Sequence, residues 1–487
     1  MSGAFPSQPF PETRAPTRPL STISGTPCRP SSTPCELAGP KGSGETRPCV
    51  LGERNRMADL IALSSKIIDD GYDDGSVGPL NRINHELSVL DDNIAMVEAF
   101  SHAVCFKTDA GLAVFDTSGA QGGERVVSAI RHWTDSPFHT VVYTHGHVDH
   151  VGGSGFFAAD GDARNHPIRW VGHENVGKRF DRYTLTDGYN QAINERQFGA
   201  FKRRGYGIGD EGRFLPAEAV RPSTTYEDTI SLKVGDLDLE LIHAKGETDD
   251  HTWAYIPEHK AICAGDFFIW NFPNCGNPQK VQRYPLEWAG AMRAMMEREV
   301  ELFLPAHGLP IAGAERIRTV LTDVATTLEG LVSDVLERMN GGLPLDHILH
   351  DVKVAPGILE KPWMKPLYDE PEFVVRNIWR LYGGWWDGNP ARLKPAPDAH
   401  LACEVARLAG GAEVLAKTAQ GHADAGDFRL ACHLVEFAAL AEPENLTVHG
   451  LRAEIYQARR NQETSLMAKG IFGTAANLSK QKVDPEV

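Results

Sequence analysis

The stretch Thr144-His145-Gly146-His147-Val148-Asp149-His150-Val151-Gly152-Gly153 constrains this chain more than any other. Three imidazoles and one carboxylate fall within residues 145–150, directly after the apolar run Thr140-Val141-Val142-Tyr143. Unpaired polar groups at that density cost several kcal/mol to bury. A strand that ends in such a cluster makes chemical sense as half of a metal site. Imidazole and carboxylate suit zinc, or iron or manganese.

Partners for the first cluster stand downstream. Gly246-Glu247-Thr248-Asp249-Asp250-His251, Ala264-Gly265-Asp266 and Ala306-His307-Gly308 each place a candidate ligand at a strand end near glycine. If these ends converge, His145, His147 and His251 hold one ion. Asp149, His150 and His307 hold a second, and Asp266 bridges both. Two ions about 3.5–4 Å apart share a hydroxide and lower its pKa towards 7, which provides a nucleophile without a covalent enzyme intermediate. Asp149 is also placed to orient that water. Asp116, in Val114-Phe115-Asp116-Thr117-Ser118, is expected to hold the ligand loop by hydrogen bonds. His102, His173 and His243 read as structural.

The chain has 487 residues, too many for one core, so two or three domains are expected. Its net charge of −16 repels phosphate backbones and weighs against nucleic acid as a substrate. No run approaches the roughly 18 apolar residues of a membrane span. The eight cysteines form no CxxC pair, so a disulfide framework is not expected and the compartment reads as reducing and cytoplasmic. Residues 1–56 hold ten prolines and carry seven Lys/Arg against four Glu. That segment cannot bury enough apolar surface to fold and is expected to be disordered.

From about 85 to 118 short apolar runs read as strands, with a hairpin at Thr108-Asp109-Ala110-Gly111. Residues 123–133 have helical spacing. Further hairpins are expected about Gly235-Asp236 and Glu258-His259, then a helix over 286–299. Strands in pairs among helices point to an α/β sandwich with sheets inside and helices outside. After about 314 helical periodicity takes over, and Trp379, Trp385 and Trp386 read as core or interface packing.

HxHxDH, Gly-x-Thr-x-x-His, a strand-end Asp and a late Ala-His-Gly together resemble the metallo-β-lactamase fold. Tyr255-Ile256-Pro257-Glu258-His259-Lys260-Ala261-Ile262-Cys263-Ala264 is similar to the corresponding segment of bacterial alkyl sulfatases. So are Tyr-x-Gly-x-x-Asp-Gly-Asn-Pro (382–390), Ala-Gly-Gly-Ala (409–412), Gly-Asp-Phe (426–428) and Ala-Glu-Pro-Glu-Asn (441–445), which resemble their dimerisation domain.

The resemblance implies an αβ/βα sandwich over 57–314 and an all-α dimerisation domain over 315–475, with a tail over 476–487. It implies a homodimer in which the helical domain of one subunit helps to close the active site. The expected activity is hydrolysis of an alkyl sulfate or related ester by a hydroxide on two divalent ions, zinc before iron or manganese. Three departures stand out. His251 and Asp266 occupy two metal positions where the sulfatases carry glutamates. The segment Asn274-Cys275-Gly276-Asn277-Pro278-Gln279-Lys280 lacks the arginine that those enzymes place near the sulfate, which leaves Lys280 or Arg283 to hold the leaving anion. Trp386 stands where they have tyrosine. Two rival readings are a thioester, lactone or β-lactam hydrolase, and a mononuclear iron dioxygenase that oxidises sulfur on the same fold.

Overall fold

The computed structural model describes residues 59–72, 82–198 and 212–485, so the Pro-rich segment 1–56 lies outside the described residues. Helix α1 (Asp59–Asp70) precedes an antiparallel meander of β1 (Leu87–Asp91), β2 (Ile94–Val97), β3 (Ala103–Thr108) and β4 (Gly111–Phe115). The 108–111 turn forms as the sequence suggests, with Thr108 Oγ1 donating to the Gly111 carbonyl at 2.8 Å. Beyond β4 the sheet continues in parallel through β5 (Phe138–Val142), β6 (Arg169–His173) and β7 (Thr224–Tyr226). Parallel neighbours need crossover connections. Helices α2 (Ala120–Trp133), α3 (Val148–Val151), α4 (Ser154–Ala163), α5 (Glu174–Leu185) and α6 (Asp187–Phe198) lie in them.

The second sheet holds β8 (Thr229–Val234), β9 (Leu237–His243), β10 (Thr252–Ile256), β11 (Ala261–Gly265), β12 (Leu302–Pro305) and β13 (Ile311–Ala312), adjacent in chain order. Only β11 and β12 run parallel, and α7 (Pro285–Met296) connects them.

Period-two alternation decides the layers. On β3, Val104 and Phe106 face one way, and Ala103 and Cys105 the other. Ala113 and Phe115 divide from Leu112 and Val114 on β4 in the same manner. The first set packs with Leu232, Leu239, Leu241 and Trp253 of the second sheet. The other packs with Val126 and Ile130 of α2, Phe157 of α4 and Phe180 of α5. Trp288 and Met292 of α7 join the core of the second sheet. The layers are therefore helices, sheet, sheet, helices, an αβ/βα sandwich followed by helices.

In helix α8 (Ala314–Asn340), Ile317, Val320, Leu321 and Val324 bury in the same core as the second sheet. Helices α9 (Leu345–Asp351) and α10 (Pro371–Gly383) add Ile348, Val374 and Ile378 to it. After α11 (Pro390–Leu393), the helices α12 (Asp398–Ala409), α13 (Ala412–Asp424), α14 (Phe428–Ala441), α15 (Leu446–Gln462) and α16 (Leu466–Val483) enclose a third core around Leu415, Ala431, Val435 and Ile455. Helix α16 continues past 475 to Val483, where a tail was expected, because Ala476 and Ser479 remain buried on its inner face. Trp379 packs partly on the main core, but Trp385 is 72% exposed. Among the described residues no helix is long and apolar enough to cross a membrane.

Helix α16 lies directly on α6. Thr474 Oγ1 donates to the Arg196 carbonyl at 2.9 Å, and a Cβ on Gly470 would stand 1.5 Å from the Gln197 carbonyl oxygen. Gly470→Ala should therefore destabilise the protein by about 1–3 kcal/mol through overpacking. Gly450→Ala on α15, which has open space around it, should be neutral or stabilise by up to about 1 kcal/mol. Denaturant midpoints of the two variants test the contact.

Candidate metal centre

Strand β5 ends at Val142, and Thr144 to His147 turn across its end before α3 starts. Helix α3 carries Asp149 and His150. Strand β11 delivers Asp266 just past its end, and β12 delivers His307 two residues past its own. All of these side chains meet at one edge of the sandwich. They form two groups whose ligand atoms lie within 4.8 Å of one another: His145, His147, Glu247 and Asp266 in one, and Asp149, His150 and His307 in the other.

Asp266 stands between the groups. Its Oδ2 is 3.9 Å from His145 Nε2, and its Oδ1 is 3.3 Å from His150 Nε2 and 3.4 Å from His307 Nε2. Asp149 Oδ2 lies 3.7 Å from His150 Nε2 and 3.5 Å from His307 Nε2. His147 Nδ1 is 2.8 Å from His145 Nε2 and 3.5 Å from Glu247 Oε1. The structure thus brings Glu247 into the first group and leaves His251 beside it. His251 Nε2 accepts the Asp266 backbone N–H at 3.1 Å, and its ring stacks on Phe267.

The donor set fits divalent cations. His150 Nε2, Glu247 Oε2 and Asp266 Oδ1 are buried without hydrogen-bond partners. Burial holds His145 and His147 well below the ordinary imidazole range, so both are neutral and have lone pairs to offer. Burial also disfavours charge on His307, but the Asp266 and Asp149 carboxylates outweigh it and raise His307 to about 10. Burial, with the neighbouring Asp266 carboxylate, pushes Glu247 up to about 8 against the pull of Arg283. Carboxylates that draw protons onto themselves and their neighbours mark a site short of positive charge, which a divalent ion supplies.

Buried polar groups tie down the ligand segments, several of them on residues 144–150. Asp116 Oδ1 accepts the Thr144 N–H at 2.8 Å. Its Oδ2 accepts Thr144 Oγ1–H at 2.7 Å and His150 Nδ1–H at 2.8 Å. Next to it, the Thr117 N–H and hydroxyl both donate to the His150 carbonyl at 2.8 Å. Gly153 must be glycine here, since a Cβ would stand 2.1 Å from the Thr117 carbonyl oxygen. Asp250 Oδ2 accepts the Gly146 N–H at 3.1 Å and Arg179 Nε–H at 2.7 Å. Asn274 Nδ2 donates to Glu247 Oε1 at 2.5 Å. His102 bonds the Ala99 N–H through Nδ1 and the Gly308 carbonyl through Nε2, and burial lowers it to about 4. A neutral His102 therefore brackets His307. His173 caps α5 and stacks on His243 with ring centroids 3.8 Å apart.

A cleft of about 1540 Å³ opens over the centre, with Asp149, Glu247, Asp266 and His307 in its lining. Lys280 and Arg283 line it as well, but differ in what they hold. Lys280 Nζ donates to Asn194 Oδ1 at 3.1 Å in a half-buried position. Arg283 is buried, with Nη1 2.5 Å from Glu247 Oε1 and 3.1 Å from the Glu247 carbonyl.

Two family patterns match the chain: the metallo-β-lactamase superfamily over residues 97–307, and alkyl sulfatase dimerisation over residues 345–482. A linear primary-alkylsulfatase from Pseudomonas sp. is 23% identical over 366 residues, which cover 71% of this chain and 68% of the relative. An (R)-specific secondary-alkylsulfatase from Pseudomonas sp. is 25% identical over 385 residues, covering 76% and 58%. The solved structure of a stereoselective inverting sec-alkylsulfatase from Pseudomonas sp. superposes with a TM-score of 0.73 at 23% identity, over 81% of this chain and 66% of that one. The chain carries the metallo-β-lactamase fold and resembles the alkyl sulfatases. It spans 58% to 68% of the length of the two curated relatives.

The alkyl-sulfatase resemblance led to His251 and Asp266 as residues that replace glutamates. The geometry offers a glutamate after all, four residues before His251. The signal was the acidic run Glu247-Thr248-Asp249-Asp250, in which Glu247 approaches the centre and Asp250 supports Gly146. Asp116→Asn should lower affinity for divalent ions roughly 10–100-fold, because an amide cannot accept from Thr144 and His150 at both of its atoms. Competition of the variant with a chromogenic chelator for zinc measures the loss.

Proposed function

We propose that this chain is a metal-dependent hydrolase of anionic esters with an apolar tail, with an alkyl sulfate as the best fit. The observation that carries the proposal is a pair of ligand groups sharing Asp266 at the floor of a cleft whose wall presents a cation, Lys280. Two groups favour two ions, zinc before iron or manganese, over the single iron of a sulfur-oxidising enzyme. Divalent ions held by His145, His147, Glu247, Asp266, Asp149, His150 and His307 would supply a water acidic enough to attack at neutral pH.

The chain's own residues do the rest. Asp149, the most exposed carboxylate of the two groups, is placed to orient the water and accept its proton. Lys280 faces the cleft and can hold the anionic group. Phe100, Phe198, Phe214, Ile269 and Leu466 provide apolar lining for a chain and help to exclude water. Tyr368, Leu466 and Lys469 of the helical region line the same cleft, so this region closes the site within one chain.

Protein loaded with zinc or manganese should release inorganic sulfate from a medium-chain alkyl sulfate, and a chelator should abolish the release. No release across a chain-length series, with metal bound, excludes the sulfate ester and directs attention to thioesters or lactones. The pH dependence gives a second reading. Burial, helped by the Arg283 charge, lowers the Lys280 ammonium to about 7. Lys280 is charged below that pH and neutral above it, so KM should rise as pH climbs through about 7. Lys280→Arg should remove this rise, and Lys280→Met should give a high, flat KM.

We also propose that the chain forms a homodimer through its helical region. The match to alkyl sulfatase dimerisation supports this, as do the exposed Trp385 and Leu408, 72% and 77% accessible. Light scattering should then give twice the 53.3 kDa chain mass. A mass equal to one chain at micromolar concentration removes the proposal.

A further inference from the structure

Arg283 joins the Glu247 segment to α10. Its guanidinium bonds Glu247 twice, at the carboxylate and at the backbone carbonyl. The next residue repeats the link, since the Tyr284 N–H donates to the Gly246 carbonyl at 3.0 Å. On the other side, Asn377 of α10 grips the Arg283 backbone. Asn377 Oδ1 accepts the Arg283 N–H at 3.2 Å, and Asn377 Nδ2 donates to the Arg283 carbonyl at 3.0 Å. Gln282 Nε2 adds a bond to Asn377 Oδ1 at 2.8 Å. Asn377 and Arg283 are 5% and 2% exposed, so these bonds do not compete with water.

A side-chain amide bonded both ways to one residue imitates a strand pairing and fixes that residue's position in two directions. A buried guanidinium is stable only with its partner in place. Glu247 is therefore held from below by Arg283 and Asn274, and Arg283 is held by α10. Among the described residues no such bond links α10 to Asp149, His150 or His307; His150 is held by Asp116 and Thr117, and His102 bonds the carbonyl of Gly308 next to His307.

We infer that Arg283 is a positioning residue for Glu247, set in place by Asn377, and that the helical region thereby governs one ligand group and leaves the other alone. The inference rests on the reading of the two groups as ion sites. It withdraws Arg283 from the task of holding the substrate anion and leaves that task to Lys280.

The test is calorimetric titration of metal-stripped full-length protein with zinc, backed by elemental analysis. Wild type should take up two ions. Arg283→Gln should weaken one of them roughly 10–100-fold and leave the other unchanged. Arg283→Lys should fall between the two, which keeps the test open if Arg283→Gln does not fold. Asn377→Leu should weaken the same ion, and the Asn377→Leu/Arg283→Gln double variant should lose little beyond Arg283→Gln alone. If a folded Arg283 variant binds both ions like wild type and only raises KM, Arg283 is an anion holder and the inference fails. Equal weakening of both ions also overturns it. A wild type that takes up no zinc removes the underlying site reading instead.

Discussion

The 144–150 segment, which carries four of the candidate ligands, depends on one carboxylate that does not line the cleft. Asp116 follows the last residue of β4 with a positive φ of 60°. A non-glycine residue rarely adopts that conformation, and it costs about 1–3 kcal/mol. Its side chain offsets the strain by accepting three hydrogen bonds from Thr144 and His150. Those bonds fix the path of the chain leaving β5 and the direction of the His150 ring. Because Nδ1 of His150 donates to Asp116, Nε2 is left to face Asp266 and Asp149. The tautomer of one ligand is thus decided a strand away.

The sandwich makes this economy workable. The central strands end at the same edge, and their ligands leave from positions just beyond the last paired residue. At that point the backbone no longer needs the sheet and can be held by side chains. Asp116 and Asp250 do so for residues 144–150 and His102 for Gly308, while Asn274 holds the Glu247 side chain. Each is buried and bonded, as buried polar groups must be. The apolar interior stays intact because β3 and β4 keep their period-two alternation up to the edge.

The strands and their edge were legible because two patterns agreed. Short apolar runs and a turn marked β3 and β4, a turn at Gly235-Asp236 marked β8 and β9, and ligand types followed the ends of β5, β11 and β12. The stretch from 154 to 226 was far less legible. Helix α6 buries Asn190, Asn194 and Gln197 on the side that meets its neighbours, so it has no apolar stripe to betray it. Yet Asn194 bonds Lys280, and Gln197 meets α16. The same blindness hid Glu247. In a run of four acidic and hydroxyl residues, spacing alone does not say which side chain turns inward. The choice is made by Arg283 and Asn274, both distant in sequence.

The loop from 274 to 283 therefore has two duties that physical chemistry makes hard to separate. Asn274 and Arg283 hold Glu247 in the first ligand group, and Lys280 between them presents its charge to the cleft. Moving Lys280 moves a loop whose two ends are bonded to Glu247, so the position of this charge and the geometry of the ligand group are coupled. The apolar lining shares in this coupling. Phe100 sets its ring edge-on to His307, with centroids 5.6 Å apart, and the Phe214 ring lies 5.6 Å from Lys280 Nζ. Two side chains that shape the apolar wall are thus packed against a ligand residue and against the loop that carries Lys280, so neither can be exchanged without an effect on its polar neighbour.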